Sequence, residues 1–407
     1  MFYQSVLKLV SATTISQVLV VLSLPFLVLL YEPSAFAIYA LYIALVNVVA
    51  SAACLRLEHA IVIAKAHQVK ALYSISMILA CTISILSPLI VAITWAISDI
   101  IGENLVLYII AVPVGTFLTA VWNVNYSHAN RIETYGRIGK AQISKNFALI
   151  SIQLVAGYLV LDNSSAMIAA HIFSLIVANF LLRTSLPILF RLKYVLLVVN
   201  RHNKFPKFSA PSIFINTLGK SSIPFFIGAT GGEIILGYYS LIDRALGAPA
   251  TLLGVAIGRV YYRSAAKLKN LKKDALNLFD STSLTLFLLS LCIFSLAYVA
   301  SLAFEPDLTK NNWTGAFDLI PILLPLYLLK FAVVPVSMTT AVYEKQRASL
   351  AWNLIYVLSL NAVLFFSYSV ANTNYELILN IYVYWSILFY GILFILLRKF
   401  ITESDTR

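Results

Sequence analysis

The sequence predicts an all-α polytopic membrane protein with about twelve transmembrane helices, and three observations carry that reading. The 407 residues are 60% hydrophobic and only 11% charged, with a mean hydropathy of +0.88, whereas soluble domains run near half apolar and a quarter charged. Twelve stretches are long and apolar enough for a spanning helix, which needs ~20 residues. The 29 Lys and Arg fall almost wholly on one side of those stretches, the bias of cytoplasmic loops. Too few polar residues remain to coat a water-exposed globule, which excludes a soluble enzyme, a nucleic-acid partner and a disordered chain.

In chain order the spans read 9–30, 36–55, 71–97, 104–126, 141–161, 166–182, 208–229, 234–258, 275–302, 315–339, 348–369 and 377–397. Charged or turn-forming clusters bound them, such as Tyr31-Glu32-Pro33-Ser34, Asp162-Asn163-Ser164-Ser165 and Thr230-Gly231-Gly232-Glu233. Helix is the expected form because a backbone in lipid must satisfy its own polar groups; the alternating short strands of a barrel are missing from the pattern. With the N-terminus inside, 25 of the 29 cations lie on the inner side, Lys310 alone lies outside, and Lys220, Arg244 and Lys330 lie within spans. Both termini are therefore expected in the cytoplasm. Residues 186–199 are apolar but short and carry Arg191 and Lys193, which predicts an interfacial helix. Ala35-Phe36-Ala37 has the form of a signal-peptidase site, but cleavage would remove span one and break the charge parity, so the segment is expected to stay. Cys54, Cys81 and Cys292 sit in apolar runs without ligand spacing and are expected to be small packing residues.

The basic stretch 183–207 separates an N-terminal lobe, 1–182, from a C-terminal lobe, 208–407, each with six spans. A shift of 199 residues superposes Gln17 on Asn216, Pro25-Phe26 on Pro224-Phe225 and Tyr39 on Tyr238. An even number of spans separates the copies, so the repeats are parallel, as in the halves of rocking transporters. The longest outer loop, Ala303 to Thr314, has 12 residues. That is small for a catalytic loop and argues against a membrane glycan polymerase or ligase.

Charge at the bilayer centre costs ~2.5–3.5 kcal/mol on insertion scales and usually marks a substrate or ion path. Lys220 lies midway along span seven, Arg244 about ten residues into span eight, and Lys330 deep in span ten. Together they suit an anionic group, since Arg offers phosphate a planar fork and Lys a point charge. Asp243 opens the alternative of an internal ion pair with Lys220 or Lys330. Gln17, Asn47 and Asn216 are polar residues in spans that either meet a substrate or hydrogen-bond between helices. His171 is expected to be a satisfied buried histidine. Gly219, Pro224, Gly247 and Pro249 permit kinks in spans seven and eight, and Gly254 with Gly258 is expected to form a close-packing face. The basic segment Arg259–Lys273 follows from topology bias, with docking on anionic lipid as its alternative.

The run Leu55-Arg56-Leu57-Glu58-His59-Ala60-Ile61-Val62-Ile63 resembles the Arg-x-Glu-x-Ala-Ile signature of bacterial polysaccharide-biosynthesis membrane proteins. Gly237-Tyr238-Tyr239-Ser240 through Arg244 to Pro249 resembles their Gly-x-Tyr-Ser…Arg…Pro segment. With the size and span count, the chain is similar over essentially its whole length to the O-antigen and exopolysaccharide flippases (Wzx-type) of the multidrug/oligosaccharidyl-lipid/polysaccharide (MOP) exporter superfamily. The resemblance implies two six-helix bundles around a V-shaped central cavity, walled by spans one, two, seven and eight. It implies transfer of an undecaprenyl-diphosphate-linked glycan between leaflets of the bacterial inner membrane, with membrane lipid and polysaccharide polymerases or ligases as partners. On that plan Lys220, Arg244, Gln17 and Asn47 line the cavity, and Lys330 from its depth and Asn216 from the repeat complete the set expected to contact substrate. No catalytic residue, metal or cofactor is implied; the drive would be a proton or sodium gradient, with Asp243 as the ion-coupling candidate. Asp243 departs from the neutral residue expected there. Arg56 and Glu58 are expected to form an ion pair or helix-end clamp. A cation-coupled drug exporter of the same superfamily is the main alternative, disfavoured because the buried excess is positive.

Overall fold

A computed structural model describes residues 2–97, 102–159, 163–184, 186, 192–270, 275–303, 312–343, 345–371 and 374–405. Among these described residues every regular element is helical. Twelve of the helices have 18 residues or more: α1 (Phe2–Leu30), α2 (Pro33–Ala53), α4 (Ala66–Ile97), α5 (Leu105–Arg131), α6 (Tyr135–Leu159), α7 (Asn163–Leu181), α9 (Ala210–Ala229), α10 (Glu233–Asn270), α11 (Leu276–Ala303), α12 (Leu319–Val336), α14 (Gln346–Ala371) and α15 (Tyr375–Asp405). Three short ones lie between them: α3 (Leu57–Ile63), α8 (Leu192–Arg201) and α13 (Thr339–Val342). Among the described residues, nine helices are long and apolar enough to cross a membrane. The three long helices outside that set are α6, α9 and α10, and each carries ionised residues well inside its length.

Many large apolar side chains point outward. Phe365 is 76% exposed, and Tyr384, Phe366 and Leu296 are similarly open, while small residues such as Ala53, Ala71, Ala120 and Ala178 are sealed inside. Such a surface suits acyl chains rather than water, and small residues inside let the helix backbones approach. The cysteines divide accordingly: Cys54 is buried, as expected, but Cys81 and Cys292 are exposed. These two therefore depart from the packing role expected of them, because each falls on an outward face of its helix.

The chain packs as two compact units, Met1–Gly237 and Tyr238–Arg407. In the first, α1 packs on α6, α6 on α7, α4 on α5, and α2 on α5, α7 and α9. Pro33 opens α2, where its missing N–H is no loss, and Ala35, Phe36 and Ala37 are buried in that first turn. Tyr31, wholly buried between α1 and α2, donates its hydroxyl to the Gln153 carbonyl of α6 at 2.6 Å. Gly237 is required by contact: a Cβ there would lie 2.1 Å from the Pro33 carbonyl oxygen. In the second unit, α12 packs on α11 and α15, and α14 on α15, around Phe279, Val336, Leu397 and Ile401. Gly254 and Gly258 face Pro335 of α12, with the Gly258 Cβ position 3.2 Å from the Pro335 carbonyl oxygen. This is the close-packing face read from the glycine spacing.

Candidate functional site

Lys220 occupies the middle of the 20-residue α9. Its side chain is exposed, while Gly219, Ser221 and Ser222 beside it are buried. Asn216 lies one turn earlier, on the same stripe of the helix, and is half-buried. Asn47 is exposed on α2, the helix that α9 packs against. Gln17 is half-buried on α1. The amides that lock helices in this unit are different ones. Asn146 donates to the Ser16 carbonyl at 3.1 Å, Asn179 to the Leu118 carbonyl at 2.9 Å, and Asn125 accepts from the Tyr73 hydroxyl at 3.2 Å. His171 is buried against Tyr42, whose hydroxyl lies 3.2 Å from Nδ1, which is the satisfied histidine expected.

In the second unit, Asp243 and Arg244 sit in the third turn of α10, Asp243 exposed and Arg244 half-buried. The Tyr327 hydroxyl of α12 donates to the Asp243 carboxylate. Lys330, one turn along α12, places its ammonium 5.2 Å from the centroid of the same Tyr327 ring. One phenol thus serves both ions, its hydroxyl the anion and its π face the cation. Behind it, Tyr239 hydrogen-bonds to Tyr327 and Tyr382, Tyr382 to Ser386, and Ser386 lies 3.3 Å from the Tyr356 hydroxyl. Sequence reasoning offered Asp243 a lysine and overlooked these tyrosines. Their signal was a cluster of aromatic residues in spans eight, ten, eleven and twelve that hydropathy counts only as apolar.

A third group lies at the end of α2, outside the spans. Leu55 and Arg56 take left-handed backbone angles, φ 49° and 61°, a strained choice for residues other than glycine. The break turns the chain into α3. Glu58, 5% exposed, has Oε1 3.8 Å from Arg56 Nη1 and 3.5 Å from His59 Nε2. The ion pair expected of Arg56 and Glu58 therefore forms. Burial raises the Glu58 carboxyl above the usual carboxylate range despite Arg56, while partial desolvation and the Arg56 charge push the His59 imidazole, whose side chain is still 45% exposed, downward. Arg131, ending α5, donates through Nη1 to the Ile61 and Val62 carbonyls at 2.8 and 3.1 Å. It neutralises the C-terminal end of α3. Lys269 does the same for α13, donating to the Val342 carbonyl at 2.8 Å.

Lys145 departs from the sequence reading. Expected among the loop cations, it lies ten residues into α6, about 15 Å along it. Its ammonium is 5.8 Å from the centroid of the Trp122 ring. α6 starts earlier than hydropathy places it because Arg137 and Lys140 occupy its opening turns, and Arg137 ties α6 to the end of α7 through the Leu181 and Arg183 carbonyls.

Residues 26–317 match the family model described as polysaccharide biosynthesis protein. The chain belongs to that family. Both segments that carry the resemblance, Leu55–Ile63 and Gly237–Pro249, fall inside the matched region of this family member. No curated protein matches the sequence. Among solved structures, an inward-facing multidrug resistance MATE family transporter of the MOP superfamily matches with TM-score 0.66 and 16% identity, over 96% of each chain. The lipid II flippase MurJ, inward closed, matches with TM-score 0.67 and 13% identity, over 98% of this chain and 90% of its own. At these identities the likeness is one of fold: the polysaccharide biosynthesis family member has the fold of MOP transporters. Among the described residues, no group of three His, Cys, Asp or Glu side chains is placed to hold a metal ion.

Proposed function

We propose that this protein is a flippase that carries an undecaprenyl-diphosphate-linked oligosaccharide, an O-antigen or exopolysaccharide repeat unit, from the cytoplasmic to the periplasmic leaflet of the bacterial inner membrane. The observation that carries the reading is a family tied to polysaccharide biosynthesis whose member has span-embedded cations in excess: Lys220, Arg244 and Lys330 against Asp243. A diphosphate cannot cross hydrocarbon bare, because the desolvation of its charge is prohibitive. Fixed ammonium and guanidinium groups replace part of its hydration while the polyprenyl tail stays in lipid. Lys220 and Arg244 meet the diphosphate, Lys330 adds to the field, and Gln17, Asn47 and Asn216 hydrogen-bond to sugar or phosphate. The segments 1–182 and 208–407 act as the two lobes of an alternating-access cycle, which binds and releases without making or breaking a bond. Asp243 is the coupling-ion candidate, a carboxylate already engaged by Tyr327 and thus able to exchange a hydroxyl donor for a proton or a sodium ion.

The likeness to a lipid II flippase supports the lipid-linked substrate. The multidrug alternative calls for carboxylates facing a cationic drug, and the cation excess runs against it. The test is surface polysaccharide in cells that depend on this gene, with Lys220→Ala and Arg244→Ala made singly. Each variant is expected to lose most surface polysaccharide, at least tenfold, at unchanged protein level, since a transition-limiting charge contact of ~1.4 kcal/mol or more is worth that factor. Full polysaccharide in both variants defeats the assignment of these two residues. Full polysaccharide on deletion of the gene defeats the function.

A further inference from the structure

We propose that α8 and the turn after it form a docking surface for anionic phospholipid headgroups on the basic side of the membrane. α8 has ten residues, about 15 Å of helix, too short to span. Its two faces do different things. Val195 and Val198, 4% and 1% exposed, are built into the core formed by α3 and α4. The Tyr194 hydroxyl donates to the His67 carbonyl at 3.0 Å, and His202 Nε2 lies 3.2 Å from the Gln68 amide oxygen. These contacts fix the helix lengthwise against the first unit and fix which face is left outward.

That outward face is amphipathic in a particular order. Leu196 and Leu197, 56% and 64% exposed, stand at its centre. Lys193 precedes them by three and four positions, and Arg201 and Lys204 follow, all exposed. Lys193 lies in the first turn, where a cation works against the helix dipole, so helix stability does not account for its place. Beyond Lys204 a π-helical turn, Phe205–Ser209, presents Phe208 at 56% exposure, with the Lys207 ammonium 5.5 Å from its ring centroid. An apolar wedge between cations is the pattern that enters the headgroup boundary, with leucines toward the acyl chains and cations at phosphate depth. The charge complement of that surface is a lipid of net negative headgroup. The cation-flanked wedge distinguishes it from the uncharged faces of the long helices, which need only acyl chains.

The test uses the full-length protein with Cys54, Cys81 and Cys292 replaced by Ser and Leu197→Cys carrying an environment-sensitive fluorophore. It is reconstituted in nanodiscs of phosphatidylcholine, or of phosphatidylcholine with roughly a third phosphatidylglycerol. Nitroxide-labelled phosphatidylglycerol is expected to quench the probe several-fold more than nitroxide-labelled phosphatidylcholine at equal mole fraction. The triple variant Lys193→Gln, Arg201→Gln, Lys204→Gln is expected to remove that preference. Equal quenching by the two lipids overturns the proposal, as does a probe that stays fully hydrated. Relief of quenching by soluble inorganic diphosphate, but not by a neutral salt of equal ionic strength, assigns the surface to a free phosphate instead and also overturns it. No transport is read out, so the result is independent of the flippase reading.

Discussion

Glu58 and His59 are adjacent, His59 faces the same Glu58 carboxylate oxygen as Arg56, and the two respond to acid in opposite senses. Burial raises the Glu58 pKa in the folded protein, so the folded state binds its proton more readily than the unfolded chain. Its contribution to stability is full below the ordinary carboxylate range and is lost as pH rises through the raised value. His59 is pushed from 6.5 down to about 4. Its contribution is full above 6.5 and is lost as pH falls from there toward 4, because the unfolded chain takes up the proton first. The thermal midpoint of the purified protein should therefore separate the two. Against His59→Gln, the wild type is expected to match above about pH 7 and to fall progressively behind as pH drops through the window from 6.5 to 4. Against Glu58→Gln, the wild type is expected to be relatively weakest at alkaline pH and to recover ground on acidification. Parallel melting curves across that range would show that neither shift matters. This cluster was half legible. The spacing of Arg56 and Glu58 after an apolar run marked a helix-end pair, but nothing in it signalled that two left-handed residues would seal Glu58 inside. The Tyr327 contact to Asp243 was not legible at all. It joins residues 84 positions apart, and a tyrosine in an apolar run looks like packing until its hydroxyl finds a partner.

At the scale of elements, the three long helices that fail a hydropathy criterion are the three that hold Lys145, Lys220 and the Asp243–Arg244 pair. Their polarity comes at a cost in lipid: Lys145 and Arg244 are half-buried, while Lys220 and Asp243 stay exposed on their helices. The spans were readable as a set because length and apolarity dominate. Their ends were less so: α6 begins at Tyr135 rather than 141, since cations in its first turns make a membrane helix look like loop. Close approach is the other device of these elements. Where α10 begins, Gly237 leaves room for the Pro33 carbonyl of α2, and farther along Gly254 meets only the Pro335 ring at 3.6 Å, an ordinary contact. Gly237→Ala is therefore expected to force the starts of α10 and α2 apart and to destabilise by ~1–3 kcal/mol or more, the cost of overpacking. Gly254→Ala in the same helix is expected to be near neutral. The measurement is the thermal midpoint of both variants in one detergent. Equal midpoints would mean that Gly237 is no packing determinant. The sequence marks Gly237 only as part of a resemblance, because a clash with a residue 204 positions away has no local signature.

Across the whole molecule the cations divide by task. Four lie deep within long helices: Lys220, Arg244 and Lys330 carry the proposed chemistry, and Lys145 sits beside Trp122. Those at helix ends do structural work as well as set topology: Arg131 closes α3, Arg137 closes α7, Lys269 closes α13, and Arg398 holds Asp280 through two hydrogen bonds of 3.2 and 2.9 Å. Short helices leave terminal carbonyls that must find donors, and nearby Lys and Arg side chains supply them. Cations counted for topology thus also terminate helices, and the count alone conceals what each one touches. The count also makes a prediction that helix packing does not, since helices pack identically whichever end meets the cytoplasm. With Lys145 moved from the loops into α6, the sequence still assigns 24 cations to one side and Lys310 alone to the other, so the turn at Asn203 should face the cytoplasm and the turn at Asn312 the opposite compartment. Both residues are exposed. In a protein whose three native cysteines are replaced by Ser, Asn312→Cys is expected to react with a membrane-impermeant maleimide in cells whose inner membrane is intact. Asn203→Cys is expected to react only after that membrane is opened. The reverse pattern would invert the orientation and with it the direction of the proposed glycan transfer, and labelling of both from one side would mean an odd number of spans between them is wrong.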